Sequence, residues 1–141
     1  MRIGIVDDNI VDCRLTTFTL LTFNIFGVPA PGTGRRLEML ASILNREPFT
    51  AVCLQEVQSH QYRRLLIQSC SSYRGRAYEP FVHAPKGGLL TLARLPIRSH
   101  DFVLYNERGL WYTPAVADWI LHKGVLITRL EQGDLPVVIL N

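Results

Sequence analysis

Along residues 15–26, LTTFTLLTFNIF, apolar side chains fall on both parities of a two-residue count: Phe18 and Leu20 on one, Leu21, Phe23 and Ile25 on the other. Such a run predicts a strand covered on both faces. The Gly/Pro-rich stretch GVPAPGTG breaks the pattern. Leu37, Leu40, Ala41 and Leu44 then recur at the i, i+3, i+4, i+7 spacing of an amphipathic helix, which has to end before Pro48. Residues 50–55 form a short run of β-branched and apolar types, the signature of a buried strand. Ser59 is placed to cap a second helix in which Tyr62, Leu65, Leu66 and Ser69 share a face. After the polar loop at 71–88, apolar stretches at 89–95, 102–105, 125–130 and 137–140 predict strands in a meander.

Strand, helix, strand, helix and then several strands without helices between them imply an α/β layered domain. No internal repeat, low-complexity tract or interdomain linker interrupts the chain. Its 141 residues, 48% hydrophobic and 19% charged, have the composition of a globular protein and the length of one domain. No apolar run approaches the ~20 residues that span a bilayer. Asp7, Asp8 and Asp12 break up the N-terminal apolar stretch, unlike a secretory signal. Cys13, Cys53 and Cys70 are odd in number and lack zinc-ligand spacing, which fits a reducing compartment, and Cys53 reads as a small core residue. The expectation is therefore an intracellular, cytoplasmic protein. A formal charge of +3 and a pI near 9.0 favour an anionic partner, although the basic residues are scattered apart from pairs such as Arg35-Arg36 and Arg63-Arg64.

Candidate chemistry starts at the end of the second strand, where VCLQE turns from apolar residues to Glu56. Open α/β sheets bind ligands beyond the carboxyl ends of their strands, so Glu56 stands where a catalytic or metal-binding carboxylate would be placed. A solvated loop residue that helps to terminate the strand is the competing reading. Asn24 occupies the corresponding end of the first strand, either as a turn residue satisfying local backbone or as a polar group at a shared site. GVPAPGTGRR has the glycine interval of a phosphate-binding loop, but Thr33-Gly34 stand where that loop requires Lys and Ser or Thr. RIGIVDDN at the N-terminus looks like the acidic pair of a response-regulator receiver domain; the second strand ends in Gln55-Glu56 rather than in the phosphoacceptor such a domain needs. A charged, poorly ordered extension over residues 1–14 is expected instead.

Taken in order, LLTFNIFG with Asn24, VCLQEV with Glu56, KGGLLTLARLPI with Gly88, Arg94 and Pro96, HKGVLITRL with Lys123 and Gly124, and the final VVILN resemble the metal-dependent endonuclease/exonuclease/phosphatase superfamily over about residues 20–141. The third and fourth segments look closest to its sphingomyelinase-like branch. The resemblance implies an α/β fold that is the N-terminal half of a four-layer sandwich, two packed mixed sheets flanked by helices, with residues 15–141 as a truncated domain of that type. It implies hydrolysis of a phosphodiester or phosphomonoester, on a lipid headgroup or nucleic acid, by metal-activated water. It further implies Asn24 and Glu56 as catalytic residues, Glu56 as ligand to Mg2+ with Mn2+ as a substitute, and Asn24, Arg94 and Lys123 as phosphate-binding groups. The family's serine before the arginine is Ala93 here.

The family's N-T-H histidine would fall two residues beyond Asn141, and its D-x-N and D-H motifs have no counterpart in these residues. His60, His83, His100 and His122 lie outside those motifs, and their wide spacing predicts structural roles. The expectation is thus a phosphoesterase fragment that is inactive as it stands; the alternative is a non-catalytic orphan fragment or anion-binding module. Self-association through uncovered sheet surface is also expected, because apolar residues on both parities exceed what one layer of helices can cover.

Overall fold

A computed structural model describes residues 17–106 and 122–141. The expected extension over residues 1–14 lies outside the described residues, as does Cys13. The elements run β1 (Leu20–Asn24), α1 (Thr33–Arg46), β2 (Ala51–Gln55), α2 (His60–Ser69), β3 (Gly75–Ala77), a 3-10 turn (Lys86–Gly88), β4 (Leu90–Ala93), β5 (Ile97–Leu104), β6 (Gly124–Gln132) and β7 (Leu135–Leu140).

The first sheet is mixed and four-stranded, in the order β1-β2-β4-β3; β1 runs parallel to β2 and the other neighbours are antiparallel. The second is an antiparallel meander of β5, β6 and β7. The stretch at 89–95 therefore does not join the expected meander. It enters the first sheet as β4, because its alternating side chains serve two different cores.

Those cores follow from the two-residue period of a strand. Val52 and Leu54 of β2 and Leu90 and Leu92 of β4 point to one face, where Leu37, Ala41 and Leu44 of α1 and Tyr62 and Leu66 of α2 cover them. Ala51, Cys53 and Ala93 point to the other face and meet Leu130 of β6 and Ile139 of β7. Small residues on the first sheet opposite large ones on the second let the layers approach and interdigitate. Ala77, Leu89 and Leu126 continue this inter-sheet core toward β3. Helices, first sheet and second sheet thus form three layers among the described residues.

Both helices match their sequence pattern. α1 ends at Arg46, ahead of Pro48, and the Ser59 hydroxyl accepts the Tyr62 amide at 3.0 Å as the cap of α2. β1 does not match: it is an edge strand with Leu20 39% and Phe23 47% exposed, and only the β2 side is paired. The run's apolar content on both parities is not matched by cover on both faces.

Two buried thiols give this core a chemical readout. Burial pushes Cys53 and Cys70 up to about 11, with a hydrogen bond to Thr91 partly opposing the effect at Cys53. The thiolate is the reactive form, so both should resist iodoacetamide at neutral pH and react once the chain unfolds. Because the folded values lie above the ordinary 9.0, the unfolded chain ionises first as pH rises. Stability is then full below pH 9 and falls as pH rises toward 11. Urea midpoints measured on either side of that window check the sign; a midpoint that rises would contradict the burial of these groups.

Candidate functional site

Parallel pairing fixes where the two strand-end polar residues lie. β1 and β2 are in register from Leu20↔Ala51 to Asn24↔Gln55, so their carboxyl ends share one edge of the sheet. Just past that edge, Asn24 Nδ2 donates to Glu56 Oε1 at 2.7 Å. Asn24 Oδ1 accepts the Phe26 amide at 2.9 Å, an Asx-type turn that fixes which way the side-chain amide faces. Asn24 thus satisfies a turn and holds a carboxylate at once. Among the described residues, Glu56 Oε2 accepts no hydrogen bond, which leaves one carboxylate oxygen open at a half-buried position.

The backbone around Glu56 is tightly constrained. Glu56 has φ 58, in the left-handed region that non-glycine residues seldom occupy, and Phe26 across from it has φ 46. The Glu56 carbonyl accepts the Gly27 amide at 2.9 Å, the Gln55 carbonyl accepts the Ile25 amide at 3.0 Å, and the Val57 amide donates to the Gly88 carbonyl at 2.9 Å. A Cβ on Gly27 would sit 2.4 Å from the Glu56 carbonyl oxygen. Gly88, at φ 66, packs against the Glu56 backbone so closely that a Cβ there would lie 3.2 Å from the Glu56 Cα. Two glycines from separate loops therefore clamp the residue whose side chain faces Asn24. The loop after β1 is tied further by Arg36, which donates to the Phe26 carbonyl at 2.6 Å.

Beneath the edge lies a polar knot that the strand pattern alone does not reveal. Gln55 points between the sheets, and its Nε2 donates to Asn141 Oδ1 at 2.6 Å and to Thr22 Oγ1 at 3.1 Å. Asn141 Nδ2 faces the carbonyls of Leu54 and Leu90 and the hydroxyl of Thr91 at 3.3–3.4 Å. Its backbone pairs in both directions with Leu126 of β6. Asn141 thus joins the second sheet to β2 and β4 one residue from Glu56. The signal in the sequence is a polar residue on the inward parity of a buried strand, Gln55 after Ala51 and Cys53.

Lys123 immediately precedes β6, which packs beside the Lys86–Gly88 turn, and its carbonyl accepts the Tyr105 amide at 3.1 Å. It lies at the same end of the sandwich as Glu56. Arg94 does not. β4 is antiparallel to β2, so Arg94 emerges where β2 begins, its amide bonded to the Thr50 carbonyl at 2.9 Å. Six residues of extended chain, about 20 Å, separate that edge from Glu56. The Arg94 guanidinium donates to the carbonyls of Phe49 at 2.9 Å and Glu47 at 2.7 Å, closing the turn after α1, and lies 5.0 Å from the Tyr73 ring centroid. The structure therefore brings Asn24 and Glu56 together at one edge, puts Lys123 at the same end of the sandwich on the second sheet, and leaves Arg94 at the opposite end.

Of the histidines, His60 Nε2 lies 2.8 Å from the Phe81 carbonyl, and the His122 ring packs on Phe81 at 4.3 Å. Among the described residues no group of three or more His, Cys, Asp or Glu converges to hold a metal. At this edge Glu56 supplies a carboxylate with an open oxygen, a donor type that suits Mg2+, an ion that often takes one or two protein carboxylates and fills its shell with water and phosphate.

Known proteins share this fold. The chain is 27% identical over 129 residues to a Drosophila melanogaster protein named "Putative neutral sphingomyelinase", covering 90% of this chain and 29% of that one. Its fold superposes on sphingomyelinase C from Streptomyces griseocarneus with a TM-score of 0.69 at 22% identity, covering 86% of this chain and 47% of that one. It superposes on Staphylococcus aureus beta toxin, in a crystal structure with bound magnesium ions, with a TM-score of 0.68 at 16% identity over 86% of this chain and 47% of the toxin. The chain thus spans less than half the length of each of these proteins. Residues 21–140 match the model of the Endonuclease/Exonuclease/phosphatase family, with Asn24 and Glu56 inside the match, and the chain belongs to that family.

Proposed function

We propose that this chain is part of a divalent-metal-dependent phosphoesterase of the sphingomyelinase-like kind, with the edge formed by Asn24 and Glu56 as its metal-binding side and residues 15–141 as part of the catalytic domain. The observation that carries the reading is the 2.7 Å bond from Asn24 to one oxygen of Glu56, with the other oxygen open. The similarity to sphingomyelinases favours a phosphodiester substrate, a lipid headgroup before nucleic acid.

Glu56 would hold Mg2+, with Mn2+ as a substitute, through Oε2. When bound, the ion supplies neutralisation of phosphoryl charge and a more acidic water. Asn24 fixes the carboxylate's orientation, and its own amide is fixed in turn by Phe26. Lys123, exposed at the same end, adds positive charge toward an anionic substrate. General acid and base groups each contribute roughly 10²- to 10⁴-fold, and no group of three or more His, Cys, Asp or Glu converges among the described residues. The 141-residue chain by itself is therefore proposed to bind metal weakly without turning over substrate. Among the described residues no helix is long and apolar enough to cross a membrane, and a cytoplasmic location remains part of the proposal.

Titration of the chain with Mg2+, followed by amide chemical shifts, tests this reading. Saturable shifts at residues 24–27, 55–57 and 88 are expected, and Glu56→Gln should abolish them while leaving the remaining spectrum in place. Metal-induced shifts that survive the substitution would remove Glu56 as the ligand. Hydrolysis of sphingomyelin or an activated phosphodiester at a rate that Glu56→Gln eliminates would overturn the proposed inactivity.

A further inference from the structure

The edge strands of the two sheets face each other away from the Asn24–Glu56 edge. β3 ends the first sheet and β5 ends the second, and between them opens a cleft of about 630 Å³. Arg74 and Arg76 come from the β3 side, Arg94 from the turn after β4, and Arg98 and His100 from β5. Among the described residues no Asp or Glu lines it. Four arginines thus line one concave surface in a chain whose formal charge is only +3.

Local structure accounts for the gathering. Gly75 lies so close to the chain after β4 that a Cβ there would meet the Leu95 carbonyl oxygen at 2.5 Å, which draws β3 and its flanking arginines against the start of β5. β5 shifts register against β6 between Ile97 and Ser99, and bulges of this kind re-aim a side chain. Arg98 is the residue displaced. Its guanidinium pairs with Glu131 at 2.6 Å, and Arg94 is held by backbone carbonyls, so both are fixed in place. Arg74 and Arg76 are exposed and make no hydrogen bond or ion pair among the described residues, which leaves two forked donor groups open to solvent in the cleft that Arg94 and Arg98 also line.

We propose that this cleft binds a multivalent phosphate group. Guanidinium forks match phosphate oxygens two at a time, and a cleft lined by four arginines, of which Arg98 is already paired with Glu131, favours a ligand with more than one negative charge. This site is separate from the one proposed at Glu56 and would hold substrate or an effector without chemistry, since no nucleophile or general base lines it beyond the exposed Ser99 and His100 among the described residues. Free polyphosphate and the phosphomonoester headgroup of a lipid share the required chemistry.

Calorimetric titration of the 141-residue chain with sodium pyrophosphate, without divalent metal, and cosedimentation with phosphatidylcholine vesicles with or without phosphatidic acid distinguish the two sources. Saturable binding of one pyrophosphate per chain, or capture only by vesicles that contain phosphatidic acid, is the expected result, and which arm responds assigns the source. The double variant Arg74→Gln/Arg76→Gln should weaken that binding by about tenfold or more, because each charge-assisted hydrogen bond commonly carries at least that factor. Arg35→Gln/Arg64→Gln, on the exposed faces of the helices, removes the same charge and should leave affinity within about twofold, as expected of surface charges far from a site. Amide shifts of the unaltered chain should centre on residues 74–76 and 97–100, which gives the answer without any substitution. Equal weakening by both double variants, shifts centred elsewhere, or no response in either arm would overturn the proposal.

Discussion

Gly27→Ala should destabilise the protein by about 2–4 kcal/mol and disrupt the Asn24–Glu56 pair with it. The new methyl carbon would lie 2.4 Å from the Glu56 carbonyl oxygen, about 1 Å inside an ordinary carbon–oxygen contact. Ile25 Cδ1 at 3.2 Å and the Gln58 amide at 3.4 Å close the other directions of escape. Relief requires the Glu56 peptide to move, which breaks the 2.9 Å bond it accepts from Gly27. Overpacking typically costs about 1–3 kcal/mol and the lost hydrogen bond about 1 more, a large share of the ~5–15 kcal/mol that holds a domain folded. Gly34→Ala supplies the contrast, since it lies near the start of α1 with nothing within 4 Å of the added methyl. That substitution should stabilise by about 0.5–1 kcal/mol through helix propensity and a less flexible unfolded chain. Urea denaturation of both variants measures the pair of opposite shifts. A Gly27→Ala protein within ~0.5 kcal/mol of the parent, with an unchanged response to Mg2+, would show that the clamp on Glu56 is loose.

The same residues show which parts of the site are legible in the sequence. Asn24 and Glu56 each close an apolar run, and the helix between the two runs is the crossover that parallel neighbours need, so their meeting at one edge follows from the pattern. The same reasoning fails for Arg94 for a definite reason: β4 is antiparallel, so the end of β4 is the edge where β2 starts. Strand direction is a tertiary property, absent from an apolar run. β3 falls within a stretch that reads as loop because its three residues, Gly75, Arg76 and Ala77, carry almost no pattern; pairing with β4 and close approach to Leu95 make it a strand. The helices are legible since each buries a single stripe, and their caps and stops are local. The Gln55–Asn141 knot is not, because its partners are 86 residues apart and only the assembled sheets bring them together.

The place of the uncovered sheet surface also emerges only in the structure, and it carries the second large expectation: the chain should self-associate through the outer face of its second sheet. The family resemblance implies an inner sheet face left without a partner. Instead, Leu126, Leu130 and Ile139 are buried against the first sheet, and the opposite parity is only partly covered. Val103, Val125, Ile127, Val138 and Leu140 share that outer face, with Val138 58% and Leu140 67% exposed. An ion pair, Arg129 with Asp101, interrupts it. At roughly 25 cal/mol per Å², covering a few hundred Å² on each of two copies is worth on the order of 10 kcal/mol before the cost of association, enough for a measurable oligomer. Strand-edge pairing is the weaker route. Pro136 removes an amide from the free edge of β7, and the irregularity at Arg98 twists the edge of β5. Size-exclusion chromatography over a concentration series, with a hydrophobic dye, should therefore show a concentration-dependent oligomer that binds dye. Val138→Lys/Leu140→Lys should shift it to monomer and remove most of the dye signal, because two charges then replace its most exposed apolar residues while the inward-facing Val137 and Ile139 are untouched. A parent protein that elutes as a sharp monomer at every concentration and binds no dye would sink this expectation, and an oligomer indifferent to the double substitution would move the contact to another surface.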